Sequence, residues 1–489
     1  MSAKPEGDRD VIPRWRDPRR TAAQGELAPL HIAEGKPLDQ TGRLEREHDW
    51  LGHKTLGFAL DLVGTAIVVG VSPVAQEAAQ FVLDARGPSE IARVLARQVA
   101  GNLESNDVSA PLGDPTKYEV GRQIHDFRVR LRSDPRNALA WTEMARYYTI
   151  LGLRDKARGA MRVALGLAPD HRYVLRVAAR LAVHHGKFEE AHSIVARASR
   201  TPTDPWLVAA ELATSGPAEV RPRLTKHAKR MLELGEFSPR STSELASALG
   251  TLELRAGSDR KARRLIESSL EEPNDNAIAQ GEWISGVLSS IEIDANLLDE
   301  SAEARAIRHG AAMDSEPALE AAWEWHHDQP FASGPGELGS YHASLSGMYA
   351  EGVAIAKAAR IANPNEFLLD NNLAFCLLNL DRVDEAAEIL NSIDRSELSE
   401  RQRATFLATY GLLEFRSGNP DSGRLFYRES IRQDRDPHHR AIATIMLASE
   451  EIRLRSEYAS RLVQEAITAG KQFETDDIKL WLKRLPKTT

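Results

Sequence analysis

"WTEMARYYTILGLRDKARGAMRVALGLAPD", residues 141–170, carries its structure in its spacing. Trp141, Met144, Ala145 and Tyr148 fall at i, i+3, i+4 and i+7, which sets them on one stripe of one helix. Gly152 ends that helix, because it tolerates the left-handed backbone a helix end requires. Ala157, Met161 and Ala164 form the stripe of a second helix, and the small alanines let the two helices approach closely. Pro169 stops the second helix, since its ring disfavours helical angles in the residue before it. The product is a helical hairpin that cannot bury both of its faces alone.

The next stretch repeats the plan, with Leu175, Ala178, Ala179 and Ala182, a turn at Gly186, then Ala191, Val195 and Ala198. Further copies are marked by Ala246 to Ile266, by Ala302 to Pro330, by Gly347 to Pro364, by Leu373 to Leu390, and by Leu407 to Tyr427. Pro364 lies 34 residues beyond Pro330, and Pro135 lies 34 residues ahead of Pro169. Residues 206–240 and 277–298 are weaker copies, and residues 438–471 form a degenerate last pair, as expected of an end cap. The period and the pattern W-x2-L-G-x2-Y, A-x3-F, P resemble the tetratricopeptide repeat. The resemblance implies an all-α fold, a right-handed superhelical solenoid of helical hairpins whose first helices line a concave groove.

The expected organisation is a mostly disordered polar tail over residues 1–50, a small helical unit over 51–115, and the array over 116–276 and 277–489 with capping helices at its end. In the helical unit, packed against the first repeats, Leu60, Val63, Ile67 and Val71 are expected on one face. The tail contains "RWRDPRR", in which Trp15 could anchor a segment that orders on a partner. The most apolar stretch, residues 56–75, is interrupted by Asp61 and Pro73 and falls short of the ~20 residues a spanning helix needs, so it reads as a buried helix.

Composition limits the function. Among 489 residues, 42% are hydrophobic and 27% charged, the balance of a folded soluble protein. The net charge of −8 argues against nucleic acid as the main ligand, because phosphate binding needs surplus Lys and Arg. A single cysteine, Cys376, excludes an internal disulfide framework and a multi-thiolate zinc site, and with no leader-like apolar core it fits a cytoplasmic protein. The match "GPGELG" at 334–339 lacks the preceding strand that a dinucleotide fingerprint requires. His184–His185, His326–His327 and His438–His439 are adjacent pairs, and neighbours on a helix diverge too far to chelate one ion. No catalytic, cofactor or metal residues are assigned, and no enzyme activity is expected.

Function is therefore expected on the concave face, where the resemblance implies binding of a peptide or protein segment. Arg146, Arg176 and Arg180 are the candidates at its start, making it basic there and suited to an acidic partner. Asn371, Asn372, Phe375 and Phe415 are the candidates at its more apolar end. Asn372 in "DNNLAF" is similar to the asparagine with which repeats of this family hydrogen-bond a peptide backbone. The leading expectation is a scaffold or adaptor for a protein or extended peptide. The alternatives are a regulatory subunit of a separately encoded enzyme and a nucleic-acid-binding repeat protein using the basic segments at 221–230 and 260–264.

Overall fold

The computed structural model describes residues 40–69, 71–85, 88, 90–101, 117–473 and 475–485, so that "RWRDPRR" lies outside the described residues. The chain divides into two compact units, one over residues 16–113 and the other including 114–489. Every regular element among the described residues is helical.

The smaller unit holds α1 (Gln40–Gly52), α2 (Leu56–Val69), α3 (Pro73–Asp84) and α4 (Glu90–Ala100). Trp50, Ala59, Leu62, Val63, Ala66, Ala79 and Val82 make its core. Helix α1 thus gives structure to the end of the stretch expected as tail. Ser72 caps α3 by accepting from the Ala75 amide. The apolar stretch is a buried helix, but its inner face is Ala59, Leu62, Val63 and Ala66; Val71 lies beyond the helix and is half exposed. No described helix is long and apolar enough to cross a membrane.

The larger unit is a solenoid of helical hairpins. It begins with α5 (Lys117–Ser133), then pairs α6 (Ala138–Ile150) with α7 (Arg154–Leu167) and α8 (Arg172–His184) with α9 (Phe188–Arg197). There follow α10 (Pro205–Ser215) and α11 (Thr225–Leu234), then α12 (Pro239–Arg255) with α13 (Asp259–Ser269). Asn137 caps α6, accepting from the Ala140 amide at 2.9 Å, and Gly152 closes the α6–α7 turn at φ 68°.

Helix α14 (Asp275–Ser285) runs through position 277 and packs on both α12 and α16 (Ala302–Ala311), so the array is continuous there. It has no full second helix. A non-helical stretch buries Ile291 and Ile293, with the Ile293 side chain over the bare backbone of Gly281, and is followed by the one-turn α15 (Ala295–Asp299). The remaining hairpins are α16 with α17 (Ser315–Asp328), α18 (Gly334–Ser346) with α19 (Tyr349–Ala362), α20 (Phe367–Asn379) with α21 (Val383–Ser392), α22 (Glu400–Arg416) with α23 (Pro420–Gln433), and α24 (Pro437–Arg453) with α25 (Ala459–Gly470). Ser399 and Gln402 start α22 with a reciprocal capping box. A last helix, α26 (Asp476–Lys483), follows the pair expected to cap the array.

The array returns on itself. The carbonyl of Ile361 lies where a Cβ on Gly152 would be only 2.5 Å away, and His184 Nε2 is 3.2 Å from the Ala362 carbonyl. A carbonyl only accepts, so Nε2 carries the proton and donates. Burial, then the neighbouring Arg180 charge, depresses the His184 pKa to about 3 and keeps the ring neutral.

Candidate functional site

The inner face of the first hairpins is closed. Thr142, Arg146 and Thr149 share one side of α6 and are all buried. Arg146 Nε donates to Glu143 at 3.0 Å, and the Tyr173 hydroxyl donates to the same carboxylate from α8. Arg176 donates two bonds to Glu244 of α12, at 2.8 and 3.0 Å, and its guanidinium stands 5.3 Å from the Trp206 ring centroid. Asn274 secures that pair: its Oδ1 caps α14 while its Nδ2 donates to Glu244 at 2.7 Å. Arg180 is covered by Phe331, 5.8 Å from the ring centroid, and burial lowers its pKa to about 10. The open basic face expected from Arg146, Arg176 and Arg180 is therefore corrected. Glu143 of its own helix holds Arg146, Glu244 of α12 holds Arg176, and Phe331 packs against Arg180.

The other end of the array is open. Helices α18, α20, α22 and α24 surround a cavity of about 490 Å³. Its lining includes Leu338, Tyr341, Leu368, Asn371, Asn372, Phe375, Ala408, Ile442 and Met446, with Arg401, His438 and His439 toward one side and Glu337 toward another. That volume is within the range of ligand sites, which are mostly apolar with a few oriented polar groups. The structure brings Asn371, Asn372, Phe375 and Ala408 together here. Asn371 is 5% exposed, and its Oδ1 accepts no hydrogen bond among the described residues. Asn372 is already engaged, donating to Ser340 Oγ at 3.1 Å and to the Glu337 carbonyl at 3.3 Å.

Phe415 is not in this group, which corrects its expected position. It is four residues from Gly411, on the same side of α22, and both face α23. The Phe415 ring packs 6.0 Å from that of Tyr427, over Gly423.

One wall of the groove is α26. The Trp481 ring stands edge-on to Phe375 at 6.0 Å, and Phe375 stands likewise against Tyr349 at 6.4 Å. Asp477 pairs with His438 at 3.0 Å, and the Tyr341 hydroxyl donates to it at 3.5 Å. Arg484, just past the helix, donates to the carbonyls of Ser344 and Leu345 and to the Tyr349 hydroxyl. Those carbonyls are at the C-terminal end of α18, where the helix dipole favours a cation. The hydrogen bond that His438 donates to Asp477 raises the His438 pKa. Burial would raise that of Asp477, but the hydrogen bond it accepts from His438 holds it below the usual carboxylate range. None of these α26 contacts was read from the sequence. The signal was there: Ile478, Trp481 and Leu482 at i, i+3 and i+4 behind Thr475, with Asp476 and Asp477 in the first turn.

The other sequence features resolve as packing. "GPGELG" opens helix α18, and its glycines allow close approach: a Cβ at Gly336 would meet Ala359 Cβ at 2.4 Å, and one at Gly339 would meet Ile355 at 2.5 Å. His326 is buried with its ring against Trp323. Cys376 is fully buried, 3.3 Å from Ser344 Oγ, and burial pushes its thiol up to about 11, far from the thiolate a nucleophile needs. Among the described residues no group of three or more His, Cys, Asp or Glu side chains could hold a metal ion.

No protein-family model matches the chain, and no curated protein does. Among solved structures, it is similar to a chain in the APC/C hetero-tetramer Cut9–Hcn1, at 11% identity and a TM-score of 0.38, covering 91% of this chain and 92% of that one. It is also similar to yeast Tom70, at 14% identity and a TM-score of 0.29, covering 78% of this chain and 95% of that one.

Proposed function

We propose that this chain is a non-enzymatic protein-interaction scaffold whose groove between α18 and α24 receives a segment of a protein partner. The observation that carries this is the cavity of about 490 Å³, bordered by the first helices of four successive hairpins and by the unpartnered Asn371 Oδ1. Leu338, Leu368, Phe375, Ala408 and Ile442 supply apolar contact, while Asn371 accepts from a donor that the partner brings. Asn372 shapes the wall through Ser340. The proposal contains no acidic requirement, because Arg146 and Arg176 already hold carboxylates of this chain.

The test is affinity purification from nuclease-treated extract with the wild-type chain and with Ala408→Trp, which fills the groove. The expected result is that proteins recovered by the wild type are lost with the variant while its helicity and melting temperature are retained. An unchanged set of recovered proteins would place binding outside this groove.

A further inference from the structure

The seating of α26 says more about what the groove accepts. We propose that the partner segment is a short amphipathic helix bearing an aromatic anchor with an arginine three residues after it, and that α26, one wall of the groove, holds those two anchor positions in cis until such a helix displaces it. The proposal rests on the groove being the binding site, as argued above.

Three observations converge on it. The first is that α26 does more than cap the array, since it reaches back to α18 and α20. Trp481 enters the aromatic pair of Phe375 and Tyr349, and Arg484 binds carbonyls 140 and 139 residues earlier in the chain. Gly347 makes room for that arginine: it closes α18 at φ 77°, and a Cβ there would lie 2.9 Å from Arg484 Nη2. The groove thus has a made place for an indole and for a guanidinium, at helical i, i+3 spacing.

The second is that the fit is incomplete. Trp481 Nε1 is buried and donates to nothing among the described residues, while Asn371 Oδ1 in the same groove accepts nothing. A donor and an acceptor therefore stand unmatched beside an unfilled cavity of about 490 Å³. Unmade buried hydrogen bonds are costly, so an aromatic helix that also reaches Asn371 and fills the cavity binds better than the resident one.

The third is that α26 is only eight residues long. An isolated helix of that length is unstable in water, so on leaving the groove it unfolds rather than persisting as a rival domain.

The test uses a fluorescein-labelled peptide of residues 475–485, TDDIKLWLKRL, and anisotropy with the full chain. The peptide is expected to bind the full-length Trp481→Ala/Arg484→Ala variant at least tenfold more tightly than the wild type, and a peptide with alanine at the tryptophan position is expected to lose binding. Arg484→Gln alone, which leaves the aromatic contact intact, gives a smaller gain and serves if the double variant unfolds. In the wild type, saturating peptide is expected to speed amide exchange in α26. Equal binding to variant and wild type, or none to a variant that keeps its helicity, overturns the proposal. A wild-type dimer that forms with concentration and is abolished by the same substitutions overturns it in favour of a second copy as occupant. Peptide binding as expected, with partner retained by Ala408→Trp, overturns the groove function alone. Partner loss in Ala408→Trp with no peptide binding overturns this proposal alone.

Discussion

The inner faces at the two ends of the array differ in how their candidate side chains are held. Around α6, α8 and α12, Arg146 and Arg176 meet Glu143 and Glu244, Asn274 and Tyr173 bond to the same carboxylates, and Phe331 covers Arg180. Around α18, α20, α22 and α24, Asn371 Oδ1 and Trp481 Nε1 have no partner among the described residues, and open space remains beside them. Both faces belong to first helices of hairpins. Position on the concave side therefore does not make a binding site; what matters is whether the chain's own later turns cover it.

The sharpest way to break the comparison is Arg176→Glu. It sets a second carboxylate against buried Glu244, and breaking a buried pair costs about 3–5 kcal/mol even before like-charge repulsion. Denaturant unfolding is expected to show at least that loss. A partner-binding defect without loss of stability would mean that the first face is open after all.

A smaller effect isolates the contact that closes the first face. Gly152 and Gly186 have nearly the same backbone, φ 68° and 69°, so alanine at either costs about 1–2 kcal/mol for left-handed strain. Only at Gly152 would the new Cβ also collide with the Ile361 carbonyl, whereas Gly186 has open space. Gly152→Ala is expected to be the more destabilising in chemical denaturation. Equal losses would show that the return of α19 contributes nothing.

pH acts on the histidines of the first hairpins and on His438 in opposite directions. His171 and His185 have pKa values lowered to about 4 and His184 to about 3, by burial first and nearby cations second. Below 6.5 the unfolded chain takes up these protons before the folded one does, so stability falls as pH drops from 6.5 toward 4. His438 is shifted the other way: its pairing with Asp477, aided by Asp436 and opposed by Arg401, is fully present below 6.5 and is lost as pH rises through its raised pKa. Melting temperature is expected to fall between pH 7 and pH 5. Exchange of α26 amides, corrected for intrinsic rates, is expected to be modestly faster at pH 8 than at pH 6. A parallel response of the two would remove the distinction.

The hairpin array was legible because its signals are local. Gly152, Pro169 and the alanine stripes act within a few residues, and the structure places turns and second helices where they point. Trp141 was legible only in part: it is half-buried, and its indole N–H bonds to the Pro135 carbonyl at 3.0 Å. At the apolar end of the candidate face, Asn371, Asn372 and Phe375, grouped from the sequence, line one cavity in the structure. The expectation failed at Arg176 because Glu244 lies 68 residues away, and no periodicity reports a partner at that distance. Phe415 was misplaced for a different reason, since its own i−4 neighbour Gly411 already marked that side as packing.

The bond between His184 and the carbonyl of Ala362 spans 178 residues of chain. A stack of hairpins that touch only their neighbours unravels link by link, each interface giving way at its own free energy. Tying one coil to the next abolishes that independence, because fraying at either end of the tie must also break it. Such a long chain closure is made late and slows folding, as contacts of high sequence separation do. Once made, it turns a spring into a clasped ring that yields as a unit.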